Sequence, residues 1–139
     1  MADFLYDKAR QHFAQGDIHW LTDNIKFCLV NTTAGAGYTP SQSADEFLSI
    51  IPVAGRTAFT GNFTSKTSVA GVLDADDPKF TAVPAGPANQ ILVLFQDTGN
   101  AATSILIAKI DSYANLPVTP TGVDILVVLP NDANRICQL

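Results

Sequence analysis

The sequence predicts a mainly β fold, an antiparallel β-sandwich or partly closed barrel, with an N-terminal amphipathic helix and one short second helix. Three observations predict it. From Arg56 onward Thr, Val, Ile and Phe dominate, Gly and Pro recur at short intervals, and no Glu follows Glu46. The apolar runs, of which Ile91–Phe95 and Ile125–Leu129 are the longest, have the length of strands, and no strand–helix–strand alternation separates them. The length of 139 residues, with 47% hydrophobic and 15% charged residues, suits one ordered domain over residues 1–139 that can bury a core without metal or disulfide staples.

The helix is expected over about residues 3–15. Asp3 is its candidate N-cap, Leu5, Ala9 and Phe13 recur at i, i+4 and i+8 with Ala2 and Tyr6 beside them, and Gly16 supplies the stop. Asp7, Lys8, Gln11 and Gln15 form the opposite side, so the apolar stripe must pack on the domain's own sheet or, in the weaker reading, on a neighbouring subunit. Residues Asn24–Asn31 alternate Ile25, Phe27 and Leu29 with Lys26, Cys28 and Val30, a strand whose second face turns apolar toward its end. Thr32–Pro40 is a Gly- and Ala-rich loop. The short second helix is expected over about 43–51, where Ser43 and Glu46 form an S-x-x-E capping box and Pro52 ends the run.

Further strands are expected at Arg56–Phe63, Lys66–Leu73, Lys79–Val83, Gln90–Asp97, Ser104–Asp111, Val123–Leu129 and Arg135–Leu139. Asp97-Thr98-Gly99-Asn100 reads as a hairpin turn, and Asn131-Asp132-Ala133-Asn134 as a second one.

Charge and composition narrow the function classes. Eight Lys plus Arg against thirteen Asp plus Glu give a formal charge of −5, and no two basic residues come closer than Lys8 and Arg10. Neither nucleic acid nor an anionic membrane surface is therefore an expected partner. The N-terminus lacks the apolar stretch of a signal peptide, so synthesis is expected to end in the cytoplasm, where Asn31-Thr32-Thr33 and Asn62-Phe63-Thr64 are chance matches to the glycosylation pattern. Cys28 and Cys137 are expected as two buried thiols, with a Cys28–Cys137 disulfide restricted to an oxidising compartment.

No catalytic residue, cofactor site or metal site is expected. His12 and His19 are the only histidines, and no G-x-S-x-G elbow accompanies them. His12 reads as a solvent or boundary residue and His19 as a packed polar neighbour of Trp20. Asp74-Ala75-Asp76-Asp77 is the densest acidic cluster, but Lys79 and Ala85 stand where a calcium loop begun at Asp74 requires Gly and Glu, so a solvated turn is the favoured reading over an opportunistic Ca²⁺ site. Ala34-Gly35-Ala36-Gly37 lacks the Lys-Ser/Thr of a phosphate loop. Phe4, Tyr6, Trp20 and Tyr38 are the candidate protein-interface residues, because exposed aromatics anchor interfaces; core filling competes, and is favoured for Trp20.

Several stretches stand out in order: Phe4-Leu5-Tyr6-Asp7-Lys8-Ala9-Arg10; Gly16-Asp17-Ile18 with Trp20; Ile25-Lys26 leading to Leu29-Val30; Phe47-Leu48; and Gly71-Val72 with Asp74-Ala75-Asp76-Asp77 and Phe80. Asp97-Thr98-Gly99, Leu106-Ile107-Ala108 with Ile110-Asp111, and Leu116-Pro117-Val118-Thr119-Pro120 with Gly122 and Asp124-Ile125 continue the series over nearly the whole chain. Taken together, they resemble small virion structural proteins of tailed bacteriophages. The resemblance implies a head decoration (cement) protein on the outside of the capsid, made in the bacterial host cytoplasm. It implies the major capsid protein as partner and a homo-oligomer, a trimer favoured at local threefold sites. A head–tail connector (adaptor or stopper) or a tail structural protein is the alternative. Thr32–Tyr38 departs from the family's pattern in being longer and richer in Gly and Ala.

Overall fold

The computed structural model describes residues 3–113, 115–129 and 136–139. In chain order the elements are β1 (Phe4–Leu5), α1 (Asp7–Gln15), β2 (Ile25–Val30), β3 (Arg56–Phe59), β4 (Thr67–Val69), β5 (Val72–Asp74), β6 (Lys79–Phe80), β7 (Ile91–Gln96), β8 (Leu106–Ile110), β9 (Ile125–Leu126) and β10 (Cys137–Gln138), with short 3-10 turns at Leu48–Ile50 and Val53–Gly55. Three antiparallel sheets result: β1-β8-β7-β2-β3, β10-β5-β4 and the pair β6-β9. The architecture is mainly β and sandwich-like. It is not a closed barrel, because β1 and β3 end the large sheet without meeting.

The three long strands are its spine. Phe27 faces Leu94, and Leu94 faces Ala108, so β2, β7 and β8 are hydrogen-bonded side by side. Every residue of β7 and β8 is buried, as are all of β2 except the half-buried Lys26. Both faces of this sheet are thus covered, which explains continuous apolar runs where a one-sided sheet would alternate. The buried apolar side chains form one connected cluster from Leu5 to Ile136. The connection begun by Asp97–Asn100 does join two antiparallel strands, β7 and β8, with Gly99 at φ +84°; it runs on to Ile105 rather than closing as a tight turn.

Several expected boundaries move, each for a visible reason. The helix starts at Asp7, not Asp3. Phe4 and Leu5 pair instead with Lys109 and Ala108, and the Asp3 carboxylate accepts the amides of Asp111 and Ser112 at 2.7 and 3.1 Å and the Ser112 hydroxyl. Ala9 is the buried residue of α1, which ends at Gly16 in the left-handed region as expected. The second helix over 43–51 does not form. Asp45 takes the Ser41 amide at 2.8 Å and closes a turn, Glu46 reaches across to α1, and extended Phe47 bridges to Ile105, leaving only the 3-10 turn at Leu48–Ile50.

The regular ladder of Arg56–Phe63 ends at Phe59, where the Thr60 hydroxyl takes the Phe27 amide at 3.0 Å in place of a backbone carbonyl, although the Thr60 and Phe63 amides still donate to the Phe27 and Ile25 carbonyls at 3.0 and 2.8 Å. Lys66–Leu73 is two strands, β4 and β5, folded about Ala70 and Gly71 at φ +51° and +79°. Lys79–Val83 and Val123–Leu129 shrink to the two-residue pairing of β6 and β9, after which Leu129 donates its amide to the Asp77 carboxylate at 2.9 Å. The expected Asn131–Asn134 turn, Arg135 at the start of the last strand, and Ala2 lie outside the described residues.

Candidate functional site

The four aromatic candidates are drawn mostly inward. Tyr6 is wholly buried and its phenol meets that of Tyr38 at 2.8 Å; Tyr38 in turn donates to the Asp45 carboxylate at 2.7 Å. Burial raises both phenols well above the usual tyrosine value, so the chain stays protonated. Trp20 is buried against Phe63 and donates its indole N–H to the Thr67 carbonyl at 3.0 Å. Phe4 is half-buried, edge-on to Tyr6 at 5.2 Å, with the Lys109 ammonium 4.8 Å from its ring centre. Tyr6, Trp20 and Tyr38 therefore fill the core instead of anchoring a surface contact: each polar tip finds an internal partner, which removes the cost of burying it. The structure groups Phe4, Tyr6 and Tyr38 around the β1–α1 corner and places Trp20 elsewhere, beside β4.

The titratable groups are engaged structurally. His12 lies at the α1 boundary, its Nδ1 2.7 Å from Asp17 and its Nε2 2.8 Å from Glu46. His19, expected beside Trp20 as a packed group, is instead largely exposed, with Nδ1 3.9 Å from Asp23. In the acidic turn Asp76 accepts the Thr64 hydroxyl and Asp77 the Leu129 amide, so two of its carboxylates brace loops. Among the described residues, no group of three or more His, Cys, Asp or Glu side chains is arranged to hold a metal ion. Nor is any described helix long and apolar enough to cross a membrane. Cys28 is buried at the centre of the large sheet, Cys137 is half-buried, and both are free thiols. Burial pushes each thiol up to about 12, which suppresses the thiolate form.

The Gly- and Ala-rich loop is fastened by side-chain amides. Thr32 donates its amide and hydroxyl to the Gln90 carbonyl oxygen at 2.9 and 3.0 Å, while the Asn31 side chain accepts from Thr33. Gly55 lies under the same loop, where a Cβ would come within 2.9 Å of the Asn31 carbonyl.

The surface feature that the aromatic pattern does not reveal is aliphatic. Leu126 and Val128 are more than half exposed and line a cleft of about 70 Å³ with Phe80, Leu116, Val118 and Ile125. Val123, on the same segment, is also mostly exposed. Val127 and Leu129 point inward and Leu126 and Val128 outward, so the strand-period alternation persists past β9 with apolar residues on both sides. That doubled apolar character is the sequence signal available for this surface. No family model matches the chain, and no curated protein matches it.

Proposed function

We propose that the chain is a structural protein of a tailed-phage virion, a head decoration protein that binds the outer surface of the major capsid protein shell as a homo-oligomer, a trimer favoured. The observation that carries this reading is aliphatic surface on an acidic, strand-rich body: Val53, Val69, Val123, Leu126 and Val128 each stand more than half exposed. Leu126 and Val128 line one cleft, with Val123 on the same segment, and apolar side chains grouped in this way at a surface favour contact with another protein, because burying them there removes apolar area from water. Two further features support the reading. Among the described residues β3 and β4 are edge strands, the kind of position to which an extended capsid arm adds by main-chain pairing. The charge of −5 suits an outward-facing position, away from packaged DNA. Closed symmetry then lets one oligomer tie several capsid subunits together, with avidity in place of a large single interface.

The test is stoichiometry in purified virions. A decoration protein is present at a copy number comparable to that of the major capsid protein and is visible on the shell in an image reconstruction. A single ring's worth of copies, located at the neck, overturns the reading in favour of a connector.

A further inference from the structure

The imidazole of His12 sits between two carboxylates on different parts of the chain. Its Nδ1 is 2.7 Å from an Asp17 oxygen, just past the end of α1, and its Nε2 is 2.8 Å from a Glu46 oxygen on the segment that leads into Phe47. A carboxylate is an acceptor only, and a neutral imidazole carries a single N–H. Both contacts at hydrogen-bond distance therefore require both ring nitrogens to donate, which only the imidazolium does. A neutral ring keeps one bond and turns a lone pair toward the other carboxylate.

The residues joined this way matter to the fold. The Glu46 carbonyl accepts the Leu106 amide at 2.9 Å at the start of β8, and Phe47 bridges to Ile105. At the other end of α1 the Asp7 amide donates to the Gln42 carbonyl at 2.9 Å. The segment 42–47 thus runs from one end of the helix to the other, pinned at its far end by His12, with the Phe47 ring tilted at 51° to the imidazole and its centre 6.3 Å away. We propose that His12 is a pH-gated latch that holds α1 to the segment 42–47 while the imidazole is protonated and releases that segment as the ring becomes neutral. The inference stands apart from the virion reading.

The surroundings agree in sign. Burial of the ring pulls its pKa down, but the hydrogen bonds to Asp17 and Glu46 and the charge of the two carboxylates outweigh it, and the net direction is upward from the usual 6.5. The charged groups that face the ring are Asp17 and Glu46. On α1 itself Arg10 turns to Asp7 at 3.1 Å, and on β8, which packs against the helix, the Lys109 ammonium lies 3.2 Å from Asp111 and over the Phe4 ring. A raised value in the folded state means that the latch contributes fully below pH 6.5 and is lost as pH rises through the folded-state value.

The experiment is an NMR titration of the full chain, in which His12 is one of only two histidines to assign. The His12 midpoint is expected above 6.5, and Glu46→Gln and Asp17→Asn each to lower it. Amide exchange at Leu106, corrected for intrinsic rate, is expected to quicken across the same pH interval by a factor that grows about tenfold per pH unit of midpoint displacement. A His12 midpoint at or below 6.5, or Leu106 protection that is unchanged on either side of the His12 midpoint, overturns the latch. The wild-type titration alone decides this if a variant fails to fold.

Discussion

The Tyr38 phenol is held between the Tyr6 hydroxyl and the Asp45 carboxylate, at 2.8 and 2.7 Å, in a part of the molecule closed to solvent. Removing it leaves the buried Tyr6 hydroxyl without that partner and takes one of two donors from Asp45, whose same oxygen keeps the Ser41 amide at 2.8 Å, while removing the Tyr6 hydroxyl breaks only its bond to Tyr38. Tyr38→Phe is therefore expected to cost about 2–3 kcal/mol and Tyr6→Phe about 1 kcal/mol, read as shifts in the urea midpoint at unchanged slope. Equal costs for the two variants would show that the bond to Asp45 carries no weight. These aromatics also mark where residue-level reading runs out. Tyr6, Trp20 and Tyr38 are amphipathic side chains that suit an interface or a core equally, and the choice is made by partners far away in sequence, such as Thr67 for Trp20. His12, for which the sequence leaves solvent and boundary positions open, is half-buried, and nothing in the sequence pairs it with Glu46, 34 residues on.

The β4–β5 hairpin is closed by two residues, Ala70 and Gly71, both at positive φ, the backbone of a type I′ turn. Ala70 has a Cβ in a region where Asn and Gly are preferred, and Gly71 needs its freedom. Ala70→Asn is expected to stabilise by roughly 0.5 kcal/mol and Gly71→Ala to destabilise by about 1 kcal/mol, both measured as changes in thermal midpoint. Opposite signs would contradict the turn type. Legibility of the other elements follows the same division between local and distant causes. β2, β7 and β8 were readable because continuous Val, Ile, Leu and Phe leave no other stable arrangement, and Gly16 marks the helix end through its own backbone. The starts were misread where a side chain suited to local capping serves a remote amide instead. Asp3 caps residues 111 and 112, and the Ser43–Glu46 box is undone when Glu46 turns to His12. The short strands β6 and β9 fall below the length at which periodicity is informative.

For the whole molecule, the ionisable groups limit stability from both sides of neutral pH. Burial raises the Asp97 pKa, but the Lys26 ammonium at 2.7 Å and the Gly99 amide at 2.9 Å outweigh it and hold the carboxyl below its usual 3.8. At Asp3, burial is likewise outweighed by bonds from Ser112 and Asp111. Depressed folded-state values mean stabilisation that is complete above pH 3.8 and is lost as pH falls through them, opposite in sense to His12. Thermal melts against pH are expected to trace a dome with an acid limb below about pH 4 and an alkaline limb above the histidine range, and Lys26→Met is expected to flatten the acid limb. An acid limb unchanged in that variant would remove Asp97 as its source. The sheet order has a consequence for biosynthesis. At about 5–20 residues per second, β2 leaves the ribosome several seconds before β7, the central strand that covers one of its edges. β1, made before β2, must wait longer still for β8. A nascent chain stalled between β3 and β7 would thus present an apolar, two-faced ribbon to the cytosol, the stage at which a holdase chaperone would most affect yield.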